Sequence, residues 1–398
     1  MLAVPIALLL TAAVLSADDS PARPVAVLPF VLYDGRVFLS ARVDGKGPGQ
    51  FQFDSAANSS CVSKRFGERI RLKTGSIGTV SGAGDGSQRV AFADDVSFAV
   101  GPLAYRSPRV ALLDLDALDL GVGRRSDGII GRELLERYVV AIDHATRTLT
   151  AYEPAAFEYR GSGTAIPIVV AMGGPVIDAV LRMPDRPPLA ARILLDAPHA
   201  GPVVLTTPFV DRHDLLGSAR LLTPRLLESA LMGVGGDSAQ LVGRAESLEI
   251  GPFAFPSPVV FFSRAKAGAL AATSIDGLIG SQILGRFRVV YDYPRRLVIL
   301  EPGPRLGEPF AYDMTGLRLR AQTRELQAIE VVLVRDGSPA AAAGVQKGDL
   351  LLSINERPAR AVELPEIRAR FERPGEVRLR VKRGSLEKTF VLELRPRV

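Results

Sequence analysis

Short stretches of alternating apolar and polar residues dominate the chain and predict β-strands more often than helices. Arg36 to Val43 (RVFLSARV) alternates in this way, and Pro175 to Arg182 (PVIDAVLR) does the same. Alternation over four to eight residues is typical of a half-buried strand. The 38 glycines and 29 prolines mark frequent turns between such stretches, and we therefore expect a mostly β protein.

The first 300 residues contain this pattern twice. In each copy a second apolar strand ends on an aspartate, in QFQFDSAA at 50–57 and in ARILLDAP at 191–198. A glycine-rich stretch follows each aspartate, SGAGDGSQ at 81–88 and GVGGDSAQ at 233–240. The shared order and spacing predict an internal duplication.

Each copy closes with an apolar strand that ends in a glycine, Gly131 in the first copy and Gly280 in the second. A short helix, predicted over 133–137 and 282–286, and a hairpin of apolar strands follow. His144 stands in the first hairpin turn, so we interpret it as a turn residue and not as a catalytic base.

Asp54 and Asp196 are the candidate catalytic residues. A carboxylate that follows an apolar strand is drawn into surroundings that disfavour its charged form. One such aspartate alone is more simply a turn-capping residue. Two aspartates at equivalent positions of a duplicated unit would meet at a pseudo-two-fold axis, where close carboxylates share a proton and can activate water.

Composition excludes several other classes of function. The single cysteine, Cys61, leaves no intrachain disulfide or multi-cysteine zinc site, and the three histidines are too far apart for a local metal motif. We therefore predict no metal and no cofactor. The net charge of +6 is concentrated after Gly303, with 18 basic and 13 acidic residues, but these alternate with Leu and Val as on a solvated sheet face. We predict no nucleic-acid binding.

The N-terminus begins with an uncharged apolar run from Leu2 to Leu15, followed by Ser16, Ala17 and two aspartates. This pattern predicts a signal peptide over residues 1–17 and a secreted or periplasmic protein. The run lacks the usual Lys or Arg before it, and a retained N-terminal anchor is the alternative. Membrane association is expected only in that case.

With these features the chain resembles the pepsin/retropepsin superfamily of aspartic proteases over roughly Val25 to Pro302, and GIIGRELL at 128–135 is close to the retroviral form. The resemblance implies a bilobal double β-barrel that binds an extended polypeptide between its lobes. It implies a catalytic pair at Asp54 and Asp196, supported by Ser55, Ala56, Ala57, Gly131 and Gly280. It also implies two flap candidates, one around Gly82, Gly84 and Gly86 and the other around Gly233, Gly235 and Gly236.

The two aspartate loops depart from that family's Asp-Thr/Ser-Gly pattern. In the first loop Ser55 keeps the interlocking hydroxyl, while Ala56 replaces a glycine and requires a backbone without positive φ. In the second loop Ala197 lacks the hydroxyl and Pro198 lacks an N–H. His199 either pairs with Asp196 or lies at the surface.

Three mechanisms are consistent with these loops. Asp54 and Asp196 form a working pair within one chain, or Asp54 pairs with its counterpart in a homodimer, as retroviral enzymes do. In the third, the fold is retained as an inactive peptide-binding scaffold, because a small displacement of a catalytic group costs on the order of 100-fold in rate.

The last hundred residues resemble a bacterial PDZ domain. The stretch from Glu330 to Arg357 (EVVLVRDGSPAAAAGVQKGDLLLSINER) carries the resemblance. It implies a peptide-binding groove that holds polypeptide C-termini, with helix 365–371 on one side and strands at 376–382 and 387–394 closing the sheet. The residues Gly316, Leu317, Arg318 and Leu319 would form its carboxylate-binding loop, although a Gly-Leu pair is also an ordinary strand start.

The predicted organisation is therefore a signal peptide at 1–17, a first lobe at 25–154, a second lobe at 160–302 and a PDZ domain at 310–398. The predicted activity is hydrolysis of peptide bonds by an aspartic endopeptidase. The predicted partners are polypeptide substrates and peptide C-termini.

Overall fold

A computed structural model of the protein describes residues 23–322, 326 and 328–398. The predicted signal peptide at 1–17 lies outside these residues. Strands dominate the described chain, which confirms the mostly β prediction. No helix in this described part is long and apolar enough to cross a membrane.

In its described residues, the first third of the chain forms eleven strands with three short helices between them. The strands are β1 (Ala26–Pro29), β2 (Val31–Tyr33), β3 (Arg36–Val43), β4 (Lys46–Phe53), β5 (Cys61–Ser63), β6 (Ile77–Ser81), β7 (Ser87–Val100), β8 (Leu103–Leu113), β9 (Gly128–Ile130), β10 (Val139–Asp143) and β11 (Thr148–Tyr152). The helices are α1 (Lys64–Arg69), α2 (Asp116–Val122) and α3 (Arg132–Arg137).

The second third repeats this arrangement. Its strands are β12 (Thr164–Pro167), β13 (Val169–Ala171), β14 (Gly174–Arg182), β15 (Leu189–Leu195), β16 (Val203–Leu205), β17 (Leu227–Gly233), β18 (Gly236–Arg244), β19 (Ser247–Ile250), β20 (Phe253–Pro256), β21 (Val259–Ser263), β22 (Gly277–Ile279), β23 (Phe287–Asp292) and β24 (Leu297–Pro302). Its α-helices are α4 (Thr207–Arg212), α5 (Leu215–Leu222) and α6 (Ser281–Leu284), with a 3-10 helix at Ala269–Ala271.

The C-terminal part has a sheet of its own. Its strands are β25 (Leu317–Ala321), β26 (Ile329–Val334), β27 (Leu350–Ile354), β28 (Arg357–Pro358), β29 (Gly375–Arg383) and β30 (Leu386–Leu394). Its α-helices are α7 (Pro339–Ala343) and α8 (Leu364–Phe371), with a 3-10 helix at Ala359–Ala361.

Each repeat builds a sheet around the same parallel pair of strands. In the first lobe β4 pairs with β9, so that Phe53 lies opposite Ile130. In the second lobe β15 pairs with β22, so that Leu195 lies opposite Ile279. The two strands that lead into the aspartates are therefore equivalent in position as well as in sequence.

A six-stranded sheet joins the lobes, in the order β1-β11-β10-β23-β24-β12. At its centre the hairpin strand of one repeat pairs antiparallel with that of the other, with Ile142 opposite Val289. His144 lies in the turn after β10, and its Nδ1 is 3.4 Å from the Phe287 carbonyl oxygen of the second lobe. The lobes thus share backbone hydrogen bonds and do not merely touch.

The buried apolar residues follow the same division. One cluster runs through both lobes and the joining sheet, while a second cluster, built around Leu319, Ile367 and Leu379, belongs to the C-terminal domain. The two lobes share a core, and the C-terminal domain has a core of its own.

The GSPAAAAG stretch shows how the sequence builds one local element. Ser338 caps α7 by accepting a hydrogen bond from the Ala341 N–H at 3.1 Å, and Pro339 occupies the first helical turn. Gly344 ends the helix at φ +88°, a left-handed conformation that favours glycine. The helix is short because only five residues separate its start and stop signals.

The joining sheet is expected to be a major source of stability. Ile142 is 2% exposed at the centre of this sheet, so Ile142→Ala should lower the free energy of unfolding by about 2–5 kcal/mol. Val27, in edge strand β1 of the same sheet, is 56% exposed, and Val27→Ala should change the free energy of unfolding by less than about 0.5 kcal/mol. Urea denaturation of both variants checks this, and equal effects would contradict it.

Candidate functional site

Asp54 and Asp196 line one cavity of about 1520 Å³ between the lobes. Asp54 directly follows β4, and its N–H donates to the Ile130 carbonyl oxygen at 3.0 Å. Asp196 directly follows β15, and its N–H donates to the Ile279 carbonyl oxygen at 2.9 Å. Each aspartate is therefore anchored by the strand beside its own, and both face the same cavity.

Gly131 and Gly280 support the two aspartate loops from behind. A Cβ on Gly131 would lie 2.6 Å from the backbone carbon of Ser59, and a Cβ on Gly280 would overlap the carbonyl oxygen of His199. These are the chain segments just after each aspartate. Only glycine lets the backing strand approach each loop so closely.

The Ser55 hydroxyl joins the two loops. Its Oγ donates to the Leu195 carbonyl oxygen at 2.7 Å and accepts from the Ala197 N–H at 3.1 Å. These two groups flank Asp196, and Ser55 itself is completely buried. The buried Tyr291 hydroxyl also contacts Ser55. One side chain of the first lobe thus fixes the backbone on both sides of the second lobe's aspartate.

Ala56 takes a conformation that tolerates its Cβ, since its φ is not positive. Its N–H donates to Asp54 Oδ1 at 2.8 Å, and the Ala57 N–H reaches the Asp54 carbonyl oxygen at 3.4 Å. The Ala57 carbonyl oxygen in turn accepts from the Arg132 N–H at 3.1 Å. The first loop therefore stabilises a charged carboxylate with a backbone donor.

The second loop lacks the corresponding donor, because Pro198 stands where the first loop has Ala56. The His199 N–H donates to the backbone carbonyl of Asp196 at 3.1 Å, as in a turn. The His199 ring packs edge-on to Phe261, and its Nε2 has no hydrogen-bond partner among the described residues. Burial lowers the pKa of His199 to about 3, so the ring is neutral and is not an ionic partner of Asp196.

The two carboxyl groups hold their protons unusually tightly. Burial raises the pKa of Asp54, and the backbone donors of Ala56 and Ala57 offset part of that rise. Burial and the nearby charge of Asp54 raise the pKa of Asp196 still further. Two close carboxyl groups with raised pKa values can retain one proton between them at mildly acidic and neutral pH.

Arg36 is a charged neighbour that the sequence did not reveal. It lies at the start of β3 and lines the cavity, where its positive charge lowers the pKa of Asp196 against the effect of burial. Its Nη1 is 2.6 Å from Asp34 Oδ2. Arg36 and Asp196 are 160 positions apart, so only the fold brings them together.

Glu133 is a second residue that sequence reasoning missed. Its carboxylate accepts from the hydroxyls of Ser59, Ser60 and Ser107 at 2.6–2.9 Å and from the Ser60 N–H. The Ser60 Oγ also accepts from the Gly131 N–H at 3.0 Å. Glu133 therefore stabilises the segment behind Asp54. Its position two residues after Gly131 is the sequence feature that could have identified it.

The two glycine-rich hairpins meet above the aspartates. The tip between β6 and β7 contacts the tip between β17 and β18. The Gly84 N–H donates to the Val234 carbonyl oxygen at 3.1 Å, and the Gly86 N–H donates to that of Gly235 at 2.9 Å. A Cβ on Gly84 would overlap the second hairpin. The tips form a closed roof that depends on glycine.

Further contacts fix this roof to the second lobe. Ser238 Oγ donates to the Ala83 carbonyl oxygen at 3.1 Å, and the Ala269 N–H donates to the Gly82 carbonyl oxygen at 2.9 Å. Gly233 and Gly236 lie at the ends of the facing strands, next to the contact. The two tips are therefore held both to each other and to the body of the second lobe.

The predicted carboxylate-binding loop lies at the start of β25. Gly316 has φ +78°, and its N–H already donates to Asp313 Oδ2 at 2.8 Å. The Leu317 N–H donates to Thr315 Oγ1 at 3.0 Å. Arg318 forms an ion pair of 2.9 Å with Asp237, in β18 of the second lobe. The Gly316 and Leu317 amides are thus already bonded to the chain itself.

Comparisons with known proteins agree with two parts of this description. Residues 39–134 match a family model described as aspartyl protease, and residues 330–383 match one described as PDZ domain. The chain therefore combines an aspartic-protease-like domain with a PDZ domain, as the sequence resemblance predicted.

Two solved structures are similar to parts of the chain. An aspartic proteinase from Irpex lacteus is 14% identical, covers 71% of this chain and 98% of its own, and has a TM-score of 0.45. The HtrA3 PDZ domain bound to a phage-derived ligand (FGRWV) is 27% identical, covers 20% of this chain and 83% of its own, and has a TM-score of 0.19. The search of curated proteins gives no match.

Removing the Ser55 hydroxyl should weaken the junction of the lobes. Ser55→Ala leaves the Leu195 carbonyl and the Ala197 N–H without their buried partner, at a cost of about 2–4 kcal/mol in unfolding free energy. Ser40→Ala, on the exposed side of β3, is the matched control and should have little effect. Chemical denaturation compares them, and equal stabilities would refute the role of the Ser55 hydroxyl.

Asp196 should also make stability depend on pH. A raised pKa favours the folded state below the ordinary aspartate pKa, and that contribution is lost as the pH rises through the raised value. Asp196→Asn should therefore raise the Tm at pH 8–9 by a few degrees, on the order of 1–2 kcal/mol, with little gain at pH 3–4.

Asp178→Asn, at an exposed position of β14, controls for the loss of a carboxylate elsewhere on the protein. Calorimetry across this pH range measures the difference between each variant and the wild type. A gain for Asp196→Asn that is the same at every pH would contradict the prediction.

Proposed function

We propose that the protein is an aspartic endopeptidase that hydrolyses peptide bonds with a water held between Asp54 and Asp196. The observation that supports this most directly is the Ser55 bridge, which joins the loops of two aspartates that follow equivalent strands. A chance pair of surface carboxylates would not share an anchoring hydroxyl at the junction of two lobes.

The asymmetry of the loops assigns the two roles. Asp54 has a backbone donor from Ala56 and is better suited to carry the negative charge, so it is the base. Asp196 has a backbone donor only from His199, and burial together with the charge of Asp54 outweighs it and raises the pKa of Asp196, so Asp196 retains the shared proton and is the acid. Asp54 removes a proton from the water as its oxygen attacks the peptide carbonyl carbon, and Asp196 protonates the carbonyl oxygen.

The tetrahedral intermediate then collapses as these transfers reverse. Asp54 gives the proton it gained to the amide nitrogen, and Asp196 recovers one from a hydroxyl of the intermediate. The C–N bond breaks and yields a carboxylic acid and an amine. The mechanism uses a proton on one carboxyl group, so activity should fall when both are ionised or both are protonated.

The substrate we propose is an extended, unfolded stretch of polypeptide. The cavity runs beneath the two hairpin tips, whose backbone groups can pair with an extended chain once they separate. The PDZ domain would bind a polypeptide C-terminus at β25 and α8. We also propose a site of action outside the cytoplasm, from the apolar run at residues 2–15.

A peptide-binding scaffold without activity is the second candidate. The specific observation in its favour is the pair Ala197-Pro198, which gives Asp196 neither a hydroxyl nor an N–H from these two residues. Catalysis through Asp54 in a homodimer has less support, because one chain supplies both aspartates to the cavity.

Asp54→Asn should abolish peptidase activity without unfolding the protein, because the amide cannot accept the water proton. We expect a loss on the order of 10³-fold or more in kcat/KM on an unstructured protein such as reduced, alkylated casein, assayed between pH 3 and 8. Asp178→Asn is the control and should retain full activity.

Two outcomes would count against this proposal. Undiminished turnover by the Asp54→Asn protein would remove Asp54 from the mechanism. A wild-type protein that binds the casein but leaves it uncut at every pH would favour the scaffold. A thermal melt of each variant shows whether it is folded.

A further inference from the structure

The side of the PDZ domain that would take a ligand is covered by the protein itself. Helix α2 of the first lobe packs against β25, and α8 lies beside both. Arg368 of α8 contacts both α2 and β25. Its Nη2 donates to the Gly121 carbonyl oxygen of α2 at 2.6 Å and to the Leu319 carbonyl oxygen of β25 at 3.2 Å. A polypeptide that added to β25 would compete for this space.

Small residues allow α2 to fit there. A Cβ on Gly121 would overlap the side chain of Met232 in β17, and one on Gly123 would lie 3.0 Å from Leu364 Cβ of α8. Gly123 also ends α2 at φ +84°. The helix end is thus held between the hairpin of the second lobe and the PDZ helix, and it borders the same cavity as the aspartates.

A further contact holds β25 from outside the PDZ domain. Leu317 and Leu319 of β25 pack into the domain's own buried core, so their burial does not depend on the lobes. The Arg318–Asp237 ion pair adds a direct link from β25 to the roof hairpin. Opening of the groove therefore requires these contacts to break.

A chain of charges leads from this closure to the aspartates. Arg368 Nη1 is 3.1 Å from Asp34 Oδ2, and the same oxygen is 2.6 Å from Arg36 Nη1. Arg36 lines the cavity with Asp196. If Arg368 moves, Asp34 loses one of its two cationic partners and the position of Arg36 is no longer fixed from the PDZ side.

We propose that α2 and Arg368 form an intramolecular closure of the PDZ groove, which a polypeptide with a free C-terminus must displace and whose opening is transmitted to Asp196 through Asp34 and Arg36. This inference builds on the proposed function, because it adds the regulation of that site by the PDZ domain. Opening of the PDZ groove and the surroundings of Asp196 are then coupled.

The proposal has a direct thermodynamic consequence. When a binding-competent state is only partly populated, the observed affinity falls in proportion to its population. Arg368→Ala removes the hydrogen bonds that hold α2 on β25 and should populate the open groove. Affinity for a peptide ligand should therefore rise, although the substitution removes a positive charge.

The test is binding of a fluorescein-labelled decapeptide pool with random sequence and a free C-terminal valine, followed by fluorescence anisotropy with the full chain. We expect Arg368→Ala to bind the pool at least 10-fold more tightly than the wild type, and an amidated pool to bind weakly to both. Arg370→Ala is the matched control, because Arg370 lies on the same helix and donates to the backbone carbonyl oxygens of Arg373 and Glu376, both within the PDZ domain.

A substitution on the other side of the contact gives a second readout. Gly123→Val places a branched side chain against Leu364 of α8 at φ +84°, so α2 can no longer pack there and this variant should also bind the pool more tightly than the wild type. Equal binding by the wild type and Arg368→Ala, or by the wild type and Gly123→Val, would overturn the proposal. These measurements need no proteolysis, so a failure of the closure is distinguished from a failure of the peptidase proposal.

Discussion

The structure depends on holding two carboxyl groups together at the junction of two lobes, where water is partly excluded. Like charges in such surroundings repel, and each loses hydration. The positive charge of Arg36 lowers the pKa of Asp196 against these effects, and backbone hydrogen bonds anchor both aspartate loops. The joining sheet and the backing glycines hold this arrangement in place.

The two repeats contribute unequally to holding the aspartate loops in place. The first lobe supplies the Ser55 hydroxyl, the Ala56 donor and the network of serines around Glu133. The second lobe supplies Asp196 on a loop with few donors of its own. Its geometry is therefore imposed from outside, by Ser55 in front and by the close approach of Gly280 behind. A degenerate motif need not mean a misplaced side chain when its partner lobe fixes the backbone.

The roof and the PDZ domain limit access in the same way, through contacts of the chain with itself. The hairpin tips bind each other through backbone groups, and the predicted carboxylate-binding loop uses two amides on Asp313 and Thr315. In both places backbone donors are bonded to groups of the same chain.

The sequence alone determined the elements and their repetition. Alternating apolar residues, the two strands that end on aspartates, and the Ser-Pro and Gly signals around α7 are local patterns, and the mostly β fold could be predicted from them. The PDZ domain was predicted from the resemblance of the stretch from Glu330 to Arg357 to a known family. The equivalence of Asp54 and Asp196 was also visible, because duplication preserves spacing.

The tertiary structure decided which distant groups meet. Arg36 faces Asp196, Arg368 reaches both Asp34 and α2, and the two glycine-rich tips bond to each other across the cavity. His199 could be either an ionic partner of Asp196 or a surface residue until its packing against Phe261 was known. Strand patterns record which face of an element is buried, but contacts between lobes depend on angles and distances that accumulate over the whole chain, and no local pattern encodes them.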